Sequence, residues 1–270
     1  MLKIEKFVTM SPEQWEMVIE GTRNPKDSWA LIDSYITHIE DPETLETADY
    51  EFFLGEKDHK LLTSLAKGGP VHAKYRRMMP VWVTINAPLY WWKEFDTYKI
   101  GTVGNSCSTM HKIDSKEFTL DQFSHEHLTN KGIEILEDTI NYLNEARAWY
   151  LKWDSMTEKD RKHFDPQVKE KKDLWWQMIQ SLPSTYNQKR TILLGYEVLH
   201  NIYFSRYDHK LDEWHVVCDW IETLPYSELI TTPVKPIFKY DKETLIDILE
   251  DFKKHKVLID EAVYAELLKE

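Results

Sequence analysis

Residues 72–111, HAKYRRMMPVWVTINAPLYWWKEFDTYKIGTVGNSCSTMH, decide the fold. Val81, Val83 and Ile85 alternate with Trp82, Thr84 and Asn86, and a two-residue apolar period marks a strand with one buried face. Ala87-Pro88 breaks that strand, and proline is suited to the first turn of a helix, where its missing N–H costs little. The aromatic run through Leu89, Tyr90, Trp91 and Trp92 reads as that helix. Gly101 and Gly104 then bracket a segment continuing through Asn105, Ser106, Cys107, Ser108 and Thr109, which reads as a loop. Closely spaced hydroxyls, an amide and permissive glycines suit an anionic ligand such as a phosphate or nucleotide. The same composition also makes an ordinary loop.

The remainder of the 270 residues limits the possibilities. With 42% hydrophobic residues the chain can build a full core. Eleven Trp and fourteen Tyr supply core area and platforms for flat rings alike. A formal charge of −12 argues against polymeric nucleic acid as partner, yet a local group of Lys and Arg can still hold a small anion. Cys107 and Cys218 are the two cysteines, and neither stands in a metal-binding or CxxC spacing. No apolar run matches a signal peptide or membrane span, so a cytoplasmic location, in a bacterial or phage-infected cell, is expected.

No linker, low-complexity tract or repeat divides the chain, which is expected to form one domain over residues 1–270. Residues 2–8 read as a first strand. Ser11-Pro12-Glu13-Gln14 carries a capping box with proline at the first helical position. Residues 57–67 read as a helix stopped by Gly68-Gly69-Pro70, and residues 130–153 as a long one. In the latter, Ile133, Leu136, Ile140, Leu143 and Tyr150 recur at helical spacing. Residues 158–172 read as a solvated helix face or a surface connection. Pro183 separates two elements, and residues 198–206 and 212–223 read as helices. A C-terminal extension from about residue 236 is expected to be helical, with Leu245, Ile248, Leu249 and Phe252 on one side over residues 242–268. The class expected is mixed α and β, rich in helix.

At these residues the chain resembles the flavin-dependent thymidylate synthase family. His72, followed by VWVTINAP, has that family's spacing from a histidine to an Ala-Pro strand end. The family signature R-H-R-x-x-S, then N-E-x-S-x-R-Y, falls on Thr97-Tyr98-Lys99-Ile100-Gly101-Thr102 and, after a short insertion, on residues 105–111. Lys99 keeps the charge, Thr102 keeps a hydroxyl, and Asn105 and Ser108 match. A second block, L-P, a tyrosine, then N-x-R-x-L-x-N-F-x-x-x-R, meets Leu182-Pro183, Tyr186, Leu199, Asn201 and Arg206. Together the blocks span roughly residues 57–220. The resemblance implies an α+β fold of the thymidylate synthase-complementing-protein type, a central sheet packed by helices. It also implies a homotetramer with active sites between subunits. Its activity is one-carbon transfer from a reduced folate to a pyrimidine deoxynucleotide, dUMP or a relative, with reduced FAD as hydride source. Carried over residue by residue, it assigns His72, Tyr98, Lys99 and Asn201 to the flavin, and Thr102, Asn105, Ser108, His111 and Arg206 to the nucleotide. Arg206 and Ser108 are the candidates for catalysis, and no metal is expected.

The departures bear on the phosphate. Thr97, Met110 and Glu197 stand where the family has arginines, and methionine cannot replace a bidentate guanidinium. His111, Lys112, Arg190 and Arg76 are the cations available to compensate; otherwise the ligand differs. A non-catalytic nucleotide-binding or nucleotide-sequestering protein of the same fold is therefore the alternative. Each residue also has a plainer reading: His72 as a loop histidine, Lys99 as a cation favoured at a helix C-terminus, Asn201 and Arg206 as structural groups among aromatics. Cys107 as a nucleophile of a classical thymidylate synthase lacks that family's surroundings, and His125-Glu126-His127 lacks the HExxH zinc spacing.

Overall fold

The aromatic helix and the strand before it lie at the centre of the molecule. The structure is a computed structural model and describes residues 2–40, 47–161, 163, 165–234 and 250. Its strands are β1 (Lys3–Val8), β2 (Tyr35–Glu40), β3 (Thr47–Phe53), β4 (Pro80–Pro88), β5 (Thr102–Ser106) and β6 (Asn187–Gly195). The helices are α1 (Pro12–Arg23), α2 (Glu56–Lys67), α3 (Leu89–Phe95), α4 (Asn130–Lys152), α5 (Glu158–Arg161), α6 (Lys171–Gln180), α7 (Tyr196–Arg206), α8 (Asp212–Glu222) and α9 (Glu228–Thr231). Four strands form an antiparallel sheet in the order β1-β4-β6-β5, and β2 and β3 pair as a separate antiparallel ribbon.

In β4 the alternation acts as expected. Val81, Val83 and Ile85 are buried, while Trp82 on the other face is 38% exposed. Register with β6 sets Val81 opposite Leu194, Val83 opposite Ile192 and Ile85 opposite Arg190. One face of the sheet therefore joins a core that includes Trp15, Trp91, Trp92, Trp214, Leu199 and Ile202 from the surrounding helices. The opposite face carries Thr84 hydrogen-bonded to Thr191 and the Lys189–Glu5 ion pair. A second apolar cluster packs α4 on α6 through Leu136, Ile140, Leu143 and Met178, with Phe118 and Phe123. It meets the sheet at its Pro88–Asn187 end, where the Leu89 N–H donates to the Tyr186 carbonyl and Tyr90 to that of Ser184.

The capping box at Ser11 is formed: its hydroxyl accepts from Gln14 N–H, and the Gln14 amide oxygen accepts from Ser11 N–H at 2.9 Å. Pro88 serves as the N-cap of α3 rather than its first residue. The predicted loop after Gly101 is a correction: Thr102–Ser106 is the edge strand β5, because its backbone pairs with β6 from Thr102↔Leu194 to Ser106↔Arg190. The two elements flanking Pro183 are helix α6 and strand β6, whose types the sequence left open, and the β2–β3 ribbon lies outside the elements expected from sequence. The charged stretch 158–172 holds the short α5 and a connection into α6. The predicted amphipathic helix over residues 242–268 falls, apart from Glu250, outside the described residues. No described helix is long and apolar enough to cross a membrane.

Candidate functional site

The chain turns out of α3 at Asp96 and reverses at Gly101, whose φ of 77° lies in the left-handed region. It then runs back as β5 beside β6. Between the end of α3 and the β5–β6 edge lies a cleft of about 230 Å³ lined by Asp96, Tyr98, Lys99, Thr102, Ser106 and Arg190, over Phe95 and Ile192. Thr102, Gly104 and Ser106 share one face of β5 by the period of two, and that face lines this cleft. The Thr102 hydroxyl oxygen is buried and has no hydrogen-bond partner among the described residues.

Arg190 is held from several sides. Its guanidinium lies 4.3 Å over the buried Trp92 ring, and Nε donates to Gln188 Oε1 at 2.9 Å. Nη1 donates to Asp96 Oδ1 at 2.7 Å. Gln188 is fixed in turn, its Nε2 donating to the Cys107 carbonyl. Such stacking and hydrogen bonding hold the planar guanidinium in one orientation.

Arg206 sits beside the cleft. Its Nε donates to Tyr98 Oη at 3.0 Å, Nη1 lies 3.3 Å from Glu94 Oε2, and the guanidinium is 4.9 Å over Trp214. Glu94 Oε2 also accepts from Trp214 Nε1 at 3.0 Å and lies 3.4 Å from His209 Nε2. Arg206 therefore reaches the cleft through Tyr98, which it positions.

Of the residues expected from sequence, Tyr98, Lys99 and Thr102 share this cleft, and Arg206 is one hydrogen bond away. His72 does not join them. It lines a different cavity of about 480 Å³ between α1, α2 and the turn Lys74–Met78, walled by Leu61, Leu65, Val71, Tyr75 and Met78. Ser108 caps the turn that follows β5, accepting from His111 N–H at 3.0 Å, and the next carbonyl back, Met110, accepts from Trp175 Nε1. Asn105 points to the opposite face of β5 from Thr102. Asn201 is exposed on α7. Of the four compensating cations, Arg190 lines the cleft. Arg76 is buried elsewhere, donating from Nε to the Leu229 carbonyl, and burial lowers its pKa. Ser106, in the hydroxyl-rich segment expected to suit an anion, also lines the cleft, whereas Asp96 and Gln188 were not anticipated; the available signal was a charged residue, Arg190, in one row with Ile192 and Leu194. Among the described residues no group of three or more His, Cys, Asp or Glu could hold a metal.

The fold has the architecture of flavin-dependent thymidylate synthases. Two of the solved structures similar to this chain illustrate that likeness. The flavin-dependent thymidylate synthase ThyX from Helicobacter pylori, complexed with FAD and dUMP, superposes with a TM-score of 0.52 at 14% identity, covering 87% of this chain and 99% of that one. Thymidylate synthase X (ThyX) from Helicobacter pylori with FAD and dUMP gives 0.50 at 12% identity, covering 84% and 94%. No family model and no curated protein matches the chain. At such identity the likeness concerns the fold.

Proposed function

We propose that the chain is a divergent flavin-dependent thymidylate synthase-like enzyme that transfers a one-carbon unit from a reduced folate to a pyrimidine deoxynucleotide, dUMP or a relative, using reduced FAD. The observation that carries this reading is the convergence of Lys99, Arg190, Thr102 and Tyr98 on one cleft, on the fold of proteins crystallised with FAD and dUMP. Two cations and an unpartnered hydroxyl suit the phosphate of the nucleotide. Phe95, Ile192 and Tyr98 supply apolar walls that keep water from the adjoining sugar and ring.

The cavity at His72 fits a flavin in chemistry. Its walls are apolar, as a flat ring requires, and His72, Lys74 and Lys26 bring basic groups for a pyrophosphate. Gly68 admits the imidazole, since a Cβ there would come within 3.0 Å of His72 Cδ2. Bound FAD would supply the hydride, and such chemistry belongs to the cofactor. The chain's own groups bind and orient: His72 and Lys74 on the cofactor, Lys99 and Arg190 on the phosphate, Thr102 donating its hydroxyl, and Arg206 holding Tyr98 in place. Because His72 and the Tyr98–Lys99 cleft are separate within one chain, the reading places a complete site at a junction of copies in a homo-oligomer. Saturating FAD should give a yellow protein whose flavin absorbance bleaches with reductant and returns in air, and dUMP should be methylated when a one-carbon reduced folate and a reductant for the flavin are both supplied. A protein that takes up no FAD at saturation is not this enzyme.

One observation favours the non-catalytic alternative. Glu197 stands where the family has an arginine, 3.8 Å from Arg77, with Oε2 buried and without a hydrogen-bond partner among the described residues. A negative charge there opposes a second phosphate contact at the start of α7. Thermal stabilisation by dUMP in the absence of any FAD uptake separates this reading from the first.

A further inference from the structure

We propose that Arg190 fixes the ligand's phosphate in this cleft, that the cleft takes a single phosphomonoester, and that the phosphate displaces Asp96 when it binds. The inference rests on the nucleotide reading above and assigns its phosphate to a residue outside the family signature.

The geometry of Arg190 is that of a prepared anion site. Trp92 beneath the guanidinium and Gln188 on Nε define its plane, and neither contact uses Nη2. The remaining contact, Asp96 on Nη1, comes from a side chain 54% exposed, whereas Arg190 is 20% exposed. A carboxylate on the solvent side of a fixed guanidinium is an exchangeable partner. A phosphate dianion brings more charge and a matching pair of oxygens, so it competes favourably for the fork.

An independent observation points the same way. Thr102, on the neighbouring strand, lines the same cleft, and its hydroxyl is buried without a partner among the described residues. An unpaired buried hydroxyl costs stability, and a ligand oxygen would relieve it. Lys99 supplies a second positive charge, and Ser106 lies directly opposite Arg190 in the β5–β6 register. At about 230 Å³ the cleft is smaller than a whole-ligand pocket. It accommodates one phosphate and the adjoining sugar atoms, not a chain of phosphates. Arg190 thereby takes over from the arginines replaced at Thr97, Met110 and Glu197.

Calorimetric titration of the full chain with dUMP, deoxyuridine and inorganic phosphate tests this, using wild type, Arg190→Gln, Arg190→Lys and Asp96→Asn, each checked for folding by circular dichroism. Wild type should prefer dUMP over deoxyuridine by about tenfold or more, the worth of one charge-assisted pair. Arg190→Gln should erase that preference. Arg190→Lys, which keeps the charge but loses the plane, should erase most of it and stands in if the glutamine variant does not fold. Asp96→Asn removes the competitor and should tighten dUMP about threefold while leaving deoxyuridine unchanged. If Arg190 merely pairs with Asp96 for stability, Asp96→Asn lowers the melting temperature and gives no gain in affinity. That result, or a preference for dUMP surviving in the folded arginine variants, overturns the proposal while leaving the nucleotide reading intact. A wild type that binds dUMP and deoxyuridine equally does the same. Binding of neither dUMP nor inorganic phosphate overturns both.

Discussion

At Asp58 the donors of two separate segments meet on one buried carboxylate. Arg23 Nη2 lies 2.6 Å from Oδ1, while Oδ2 accepts from the backbone N–H groups of Asp33 and Ser34 and from the Ser34 hydroxyl at 2.7 Å. Burial opposes the charged form, but the bonds from Ser34, Asp33 and Arg23 outweigh it and hold the carboxyl below its ordinary 3.8. A carboxyl depressed on folding stabilises the native state above its unfolded pKa and loses that contribution as pH falls through the depressed value. Asp58→Asn should therefore cost about 3–5 kcal/mol near neutral pH, because it strands a buried guanidinium. The deficit should shrink below about pH 4, as the wild-type carboxyl itself becomes protonated. Denaturant melts at a series of pH values read this directly, and a deficit independent of pH would show that the charge contributes nothing. Arg206 differs because its partners are shared with the cleft. With Tyr98, Glu94 and Trp214 around it, Arg206→Ala should lower stability by about 1–2 kcal/mol through lost stacking and hydrogen bonding. It should also loosen Tyr98 and so weaken dUMP. An unchanged melting temperature would show that Arg206 is not committed to this network and remains available to a ligand.

Among the elements, those with strong local chemistry were legible from the sequence, and those formed by pairing were not. The capping box at Ser11, the Gly68 stop and the long period of α4 each announce themselves within a turn or two. The strand β6 does not, because Arg190 interrupts its inward row and Leu193 and Leu194 are adjacent, hiding the period of two. Edge strand β5, with Gly104 and polar residues, has little strand propensity of its own and exists because β6 offers it a partner. The cleft was half-visible for the same reason: Tyr98, Lys99 and Thr102 lie in one continuous stretch, but Arg190 reaches them only once β6 is paired. The turn that delivers β5 depends on Gly101, where φ is positive and a Cβ would meet Val198 Cγ2 at 3.3 Å. Gly101→Ala should cost about 1–2 kcal/mol for the left-handed backbone. Since β5 carries Thr102, the same substitution should weaken dUMP more than any surface change of equal cost in stability. Melting and titration of one sample compare the two losses, and equal affinity in the variant would separate the turn from the site.

Over the whole molecule, the His72 cavity and the Arg190 cleft are separate, and under the proposed function each would supply a fraction of what a flavin beside a pyrimidine requires. The first offers an apolar slot with a basic rim; the second offers cations, a hydroxyl and aromatic walls. If copies of the chain must meet to join them, FAD binding and self-association are linked, and each must strengthen the other by the same factor. Two consequences are measurable. Adding FAD to dilute protein should shift its mass distribution toward larger assemblies. Diluting the flavin-loaded protein should release FAD at concentrations where the assembly dissociates, so the apparent affinity depends on protein concentration. A His72→Ala variant should weaken FAD uptake and, through the linkage, reduce FAD-driven assembly without altering the mass distribution of the flavin-free protein. Mass photometry combined with flavin fluorescence follows both quantities in one dilution series. A chain that stays monomeric at every concentration and binds one FAD with an unvarying constant would mean that the two cavities serve separate purposes, and the reading that joins them would fail with it.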